Sequence, residues 1–185
     1  MELFKKAYYF VLDILQTLLL AAAFFMVIYL LIMRPYEVKG SSMYPYLKDK
    51  EYVLTNLLTK RFFEFKRGDV VVFKAPTDPD KDFIKRILAA PGDSIMIKNS
   101  KVYVNGKEIN ETTYLDPSVQ TNGGAFLKEG ETVTVPSQNY FVLGDNRSES
   151  SDSREWGFVP KNNIIGKSFF VYWPVSRAML IKNPY

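Results

Sequence analysis

Val38-Lys39-Gly40-Ser41-Ser42-Met43-Tyr44-Pro45-Tyr46-Leu47 marks the point where this sequence changes character. Before it lies the one long apolar run of the chain. After it come short alternating segments broken by Gly, Pro, Asn and Asp. The stretch therefore divides a membrane-length segment from a β-rich remainder. It also keeps two adjacent serines within about 30 Å of chain reach of the apolar run, at roughly 3.3–3.6 Å per extended residue. Gly40 and Pro45 bracket the pair, which turns the backbone and leaves a hydroxyl accessible. A serine beside a glycine is by itself an ordinary loop, so its meaning depends on what the rest of the chain supplies and lacks.

The 185 residues include no cysteine and no histidine. A Ser-His-Asp triad, a Cys-His pair and any zinc site held by His or Cys are thereby excluded. No disulfide, metal or cofactor is expected. A reactive serine in this chain needs Lys, Asp, Glu or Tyr as its base, and the Ser-Lys dyad is the known histidine-free arrangement. The net charge of +4 is spread over separate sites such as Lys5, Lys6, Lys60, Arg61, Lys66 and Arg67. Without a sustained basic tract, an anionic lipid surface is a more natural partner than nucleic acid.

Residues 2–13 mix Lys5 and Lys6 with Tyr8, Tyr9 and Phe10, an interfacial composition. Ile14 to Met33 is then twenty residues without a charge, the length needed to cross a bilayer core of about 30 Å. Ala21-Ala22-Ala23 resembles a signal-peptide cleavage site, but the apolar run continues from Phe24 to Met33, beyond the end of a signal h-region. An uncleaved anchor is expected. Lys5 and Lys6 before the span balance Arg34 and Lys39 after it, so charge leaves the orientation open.

From Tyr52 onward the pattern predicts strands over Glu51–Asn56, Val70–Lys74, Phe83–Leu88, Ser94–Lys98, Lys101–Val104, Thr132–Val135, Tyr140–Leu143 and Ser168–Trp173. Asn105-Gly106 is a type I′ hairpin signal. Such a series implies a mainly β domain, a sandwich or partly closed barrel. About 150 residues beyond the anchor suffice for one such domain.

Two of these strands run into stretches with chemical potential. In Phe83-Ile84-Lys85-Arg86-Ile87-Leu88, Lys85 shares a strand face with Phe83 and Ile87 while Arg86 faces the other way. Apolar flanks disfavour an ammonium and lower its pKa, the condition a lysine base requires. The polar loop Gly144 to Arg154 follows an apolar strand and carries acceptors, hydroxyls and two arginines, a composition suited to supporting a site. Asp152 and Arg154 are placed to pair there.

These stretches, in this order behind an N-terminal anchor, resemble the type I signal peptidases. The serine motif reads Gly40-Ser41-Ser42-Met43-Tyr44-Pro45-Tyr46-Leu47, and the lysine motif Lys85-Arg86-Ile87-Leu88-Ala89-Ala90-Pro91-Gly92-Asp93. The C-terminal motif reads Gly144-Asp145-Asn146-Arg147, then Ser150, Asp152, Ser153 and Arg154, then Trp156-Gly157-Phe158-Val159-Pro160. The resemblance implies Ser42 as nucleophile, Lys85 as general base and Ser150 as the hydroxyl that positions the lysine. Asp152 and Arg154 become a structural pair, with Asp145 among the supporting residues. Met43, Leu47, Phe83 and Ile84 are expected to line shallow pockets for small side chains.

Two antiparallel sheets are implied as well. The resemblance implies a cytoplasmic stub and anchor over residues 1–35, and an extracytoplasmic peptidase domain over 36–185 with a β excursion at about 105–135. The implied reaction is removal of signal peptides from secretory preproteins after small-x-small motifs, by a single-pass, monomeric plasma-membrane protein. Where some members carry a serine that donates a second oxyanion hydrogen bond, this chain has Gly40. Tyr46 replaces a usual threonine and is expected to alter substrate fit. A self-cleaving protease of the SOS-repressor kind would need a DNA-binding domain where the anchor stands. A non-catalytic binding module would have no use for Lys85 between apolar neighbours.

Overall fold

The computed structural model describes residues 1–185. Helix α1 spans Glu2–Val27 and runs on through one wide turn, Ile28–Ile32, before strand β1 opens at Met33–Glu37. Helix and turn together are 31 residues long, about 46 Å at 1.5 Å per residue. Residues 2–13, with their interfacial mixture of basic and aromatic side chains, belong to the same helix. The apolar span expected through Met33 ends at Ile32, because Met33 is already extended (φ −149°, ψ 146°). No linker intervenes, and the Leu57 N–H closes on the Ile32 carbonyl at 2.8 Å. The boundary expected at 35/36 thus falls inside β1, which pairs with β2 (Tyr52–Asn56) along its whole length.

The remaining strands are β3 (Val70–Ala75), β4 (Asp78–Ala89), β5 (Ser94–Lys98) and β6 (Lys101–Val104). They are followed by β7 (Lys107–Glu108), β8 (Thr132–Thr134), β9 (Asn139–Leu143) and β10 (Val159–Pro160). The last two are β11 (Ile164–Trp173) and β12 (Met179–Leu180). Short helices α2 (Thr59–Phe62) and α3 (Ser153–Trp156) sit between them. All pairings are antiparallel. The larger sheet runs β1-β2-β11-β3-β4-β9-β10 with β12 on β11, and the smaller runs β7-β6-β5-β8. The molecule is mainly β, as the turn-punctuated pattern implied. Asn105 and Gly106 take φ of 54° and 74° between β6 and β7, the two-residue hairpin turn.

Alternation along the strands builds the core. On β4 and β9, Leu88, Ala89, Phe141 and Leu143 face the smaller sheet and meet Ile95, Ile97, Val102 and Val104. Ile87, Tyr140 and Val142 face the other way and pack with Val71, Phe73 and Ile164. Each such aliphatic side chain contributes about 1.5–3 kcal/mol on burial. A third cluster gathers Val38, Met43, Leu47, Val53, Val70 and Val171 beneath the Ser42 turn. The excursion expected at about 105–135 has strands only at its ends. Its middle folds back, burying Leu127 in the first cluster and laying Tyr114 against β4.

One row of partners crosses the larger sheet from the end of the apolar helix to Lys85. Met33 pairs with Asn56, Asn56 with Lys167, Lys167 with Val71, and Val71 with Lys85.

Candidate active site

β1 pairs only with β2, so its outer edge is open. β4 pairs with β3 from Asp78 to Arg86, but with β9 only from Arg86 to Ala89, so the edge from Asp78 to Lys85 is also open. Between these two edges lies a cleft of about 680 Å³, walled by Pro35, Tyr36 and Glu37 on one side and Asp80 to Lys85 on the other. Ser42 and Ser151 lie at its inner end.

Ser42 sits on a tight turn entered through Gly40, whose φ of +83° disfavours any side chain. The Leu47 N–H bonds the Met43 carbonyl at 2.8 Å. That i, i+4 spacing sends Met43 and Leu47 together into the core, where neither is exposed. They were expected to line substrate pockets, and instead they anchor the turn from below. Phe83 and Ile84 do line the cleft.

Lys85 Nζ donates to Ser42 Oγ at 2.7 Å and to the Ile84 carbonyl at 3.2 Å. The Phe83 ring centroid lies 5.2 Å from the same nitrogen. Burial lowers the Lys85 pKa to about 8, against an opposing pull from Asp152 and Asp145. A neutral amine is therefore within reach near physiological pH, and with the proton gone the Ser42 O–H donates to the lysine lone pair.

The opposite face of β4 is equally built. Arg86 is fully buried and forms a two-pronged pair with Asp145, Nε to Oδ1 at 2.9 Å and Nη2 to Oδ2 at 2.7 Å. Tyr114 and Tyr46 cover its guanidinium, with Cζ 4.0 and 4.7 Å from their ring centroids. The Tyr46 hydroxyl accepts from the Lys182 N–H at 3.2 Å. Tyr46 was expected to adjust substrate fit, but its ring is turned to Arg86 and stands outside the cleft wall. The Tyr46 ring is accommodated behind β4, against Arg86.

Asp152 caps α3 and accepts from Arg154 Nε at 2.8 Å and from the Gly144 N–H at 3.0 Å. Arg154 in turn donates to the Arg147 carbonyl at 2.7 Å, closing the loop on itself. Ser150 differs from its expected role. Its hydroxyl is buried without a hydrogen-bond partner, and the Lys85 amine bonds Ser42 and Ile84 instead. Ser150 Oγ instead packs on Gly144. A Cβ there would lie 2.2 Å from that oxygen and 2.4 Å from the Ser42 carbonyl.

Two contacts that the composition of the loop did not foretell join it to the serine turn. The Asn146 N–H donates to the Ser42 carbonyl at 3.0 Å, and Asn146 Nδ2 to the Ser41 carbonyl at 3.1 Å. Asn146 and Gly144 were visible in sequence only as members of a motif. The closeness of two backbones has no signature of its own beyond the glycine that permits it.

Residues 11–173 match the family model described as signal peptidase, peptidase S26. Signal peptidase IB of Staphylococcus aureus (strain COL) is 34% identical over 186 residues, covering 93% of this chain and 96% of the relative. Signal peptidase I of Bacillus amyloliquefaciens is 36% identical over 180 residues, with 93% of each chain covered. A crystal structure of a signal peptidase I from Enterococcus faecalis V583, 27% identical, covers 56% of this chain and 96% of its own, with a TM-score of 0.47. The family match and the near full-length relatives make this chain a member of the S26 signal peptidases, and therefore a serine-protease hydrolase.

Proposed function

We propose that this protein is a membrane-bound serine endopeptidase that removes signal peptides from secretory preproteins after small-x-small motifs, with Ser42 and Lys85 as its dyad. The observation that carries the reading is the 2.7 Å contact between Lys85 Nζ and Ser42 Oγ at the inner end of an open-edged cleft. Neutral Lys85 takes the Ser42 proton as Oγ attacks the scissile carbonyl. The ammonium then gives that proton to the departing amine, leaving an acyl-enzyme. Lys85, neutral again, activates water to release the acid.

The Ser42 N–H makes no hydrogen bond within the protein and serves as the oxyanion donor. An extended substrate finds unpaired backbone groups on both β1 and β4, a β-addition mode of recognition. Side chains alternate along such a strand, so every second substrate residue meets the wall of Phe83, Ile84 and Val72. Asp145, Asp152 and Arg154 support the site from behind through their ion pairs, and Ser150 only by packing against Gly144.

The apolar helix serves as the anchor, with the peptidase domain on the extracytoplasmic side of the plasma membrane, where preproteins emerge. The boundary between anchor and domain lies at Ile32/Met33. The protein acts as a monomer on preproteins held in the same bilayer. The test is incubation of the detergent-solubilised chain with a preprotein. Ser42→Ala abolishes cleavage and Ser41→Ala keeps a substantial fraction. An active Ser42→Ala with an inactive Ser41→Ala overturns the assignment.

A further inference from the structure

We infer that Asn146 is a positioning residue for oxyanion stabilisation, holding the Ser41–Ser42 peptide plane so that its N–H is presented to the scissile carbonyl. The inference rests on the reading of Ser42 as nucleophile. Its starting point is that a peptide unit is planar. In the trans form its C=O and N–H point in opposite directions, and the Ser41–Ser42 bond is not among the cis bonds of the chain. The carbonyl of Ser41 and the N–H of Ser42 are therefore two ends of one rigid unit. Fixing the first aims the second.

The Ser41 carbonyl is fixed twice, by the Tyr44 N–H at 2.9 Å and by Asn146 Nδ2 at 3.1 Å. The Tyr44 bond is local to the turn and rotates with it. The Asn146 bond comes from 105 residues away in sequence, on a loop itself held by the Asp152–Arg154 pair. Asn146 also grips the far side of Ser42, its N–H on the Ser42 carbonyl at 3.0 Å. The Ser148 hydroxyl donates to Asn146 Oδ1 at 3.3 Å, which fixes the amide with its NH₂ towards Ser41.

The opposite end of the unit, the Ser42 N–H, has no partner in the protein. A donor on the Ser41 carbonyl also polarises that unbonded N–H, since hydrogen bonds in series strengthen one another. Position 40 carries no side chain to add a second donor, and Gly40 N–H is itself bonded to Asp49 Oδ1 at 2.6 Å. Oxyanion stabilisation in this chain thus leans on one backbone N–H, whose aim is set from Asn146.

The experiment compares Asn146→Ala, Asn146→Asp, Asn146→Gln and Ser42→Ala in the full chain, solubilised in detergent. Substrate kinetics are followed, together with the affinity of a peptide aldehyde, whose adduct with Ser42 presents an oxyanion. Losing an oxyanion donor outright lowers kcat by about 10²–10³-fold. Losing its positioning lowers kcat by about ten- to a hundred-fold on the same scale. Asn146→Ala therefore lowers kcat by that factor with KM unchanged, and aldehyde affinity falls in parallel.

The acidic limb of the pH profile, which reports Lys85, stays in place. Asn146→Asp falls further, because a carboxylate against the Ser41 carbonyl repels it. Asn146→Gln, which keeps the amide donor, recovers part of the loss. Full kcat in Asn146→Ala, or a lower kcat with unchanged aldehyde affinity, overturns the inference while an inactive Ser42→Ala leaves the dyad standing. An active Ser42→Ala overturns the dyad itself.

Discussion

At the scale of single residues the site turns on a proton. In the proposed mechanism Lys85 must be neutral to act, and burial brings its pKa to about 8. The acidic limb of kcat/KM should accordingly show a midpoint near that value, with activity rising as pH rises. Lys85→Arg should be as inactive as Lys85→Ala, because a guanidinium stays charged and takes no proton. Strong activity in Lys85→Arg would move the base elsewhere. Gly144→Ala should cost at least about a hundred-fold in kcat by displacing the Ser42 carbonyl, since the added Cβ would sit 2.4 Å from that oxygen. The meeting of Ser42 and Lys85 was legible from residue types, a strand period and the resemblance of the motifs: no histidine, a serine on a turn, and a lysine between Phe83 and Ile87. The inward turn of Met43 and Leu47 was not, because one apolar side chain in a loop reads alike whether it faces a pocket or a core.

At the scale of elements, β4 carries opposite electrostatic demands on its two faces. Arg86 faces away from the cleft, and strand alternation alone gives no sense of how much depends on it. Its full burial with Asp145 changes that. Arg86→Ala leaves a buried carboxylate unpaired and should destabilise the domain by about 3–5 kcal/mol, seen as a lower thermal midpoint. Lys85 works in the other sense. Its folded-state pKa of about 8 lies below its ordinary 10.5, so the unfolded chain binds more protons between those values. Stability rises with pH across that window, and the burial cost is fully present below it. Lys85→Met should therefore gain about 1–3 kcal/mol at pH 7 and flatten the stability profile between pH 8 and 10.5. No gain at pH 7 would mean that the lysine is not strained by burial. The strands themselves were largely legible: β5 and β6 fall on the residues where alternation put them. β1 was hidden, because Met33-Arg34-Pro35-Tyr36-Glu37 follows the anchor without a turn signal and is extended only through pairing with β2.

At the scale of the whole molecule, the apolar helix and the larger sheet form one continuous piece. A chain shortened to start near Arg34 should still fold and cut soluble peptides. It should lose most activity on preproteins held in vesicles, because anchoring both partners in one bilayer raises their effective concentration. Equal activity of long and short chains on such vesicles would count against the anchor's part. The junction has a further, mechanical meaning. Ile32 passes straight into β1 and is clasped by the Leu57 N–H, so no linker residue stands between helix and strand. In a bilayer the domain should then turn only as fast as the helix that carries it, without the nanosecond wobble a flexible tether would add. The absence of native cysteine makes this measurable with a single dye at Lys107→Cys, on the β6–β7 hairpin. Its fluorescence anisotropy should decay to a high plateau in vesicles, and a glycine-serine insert between Ile32 and Met33 should bring that plateau down.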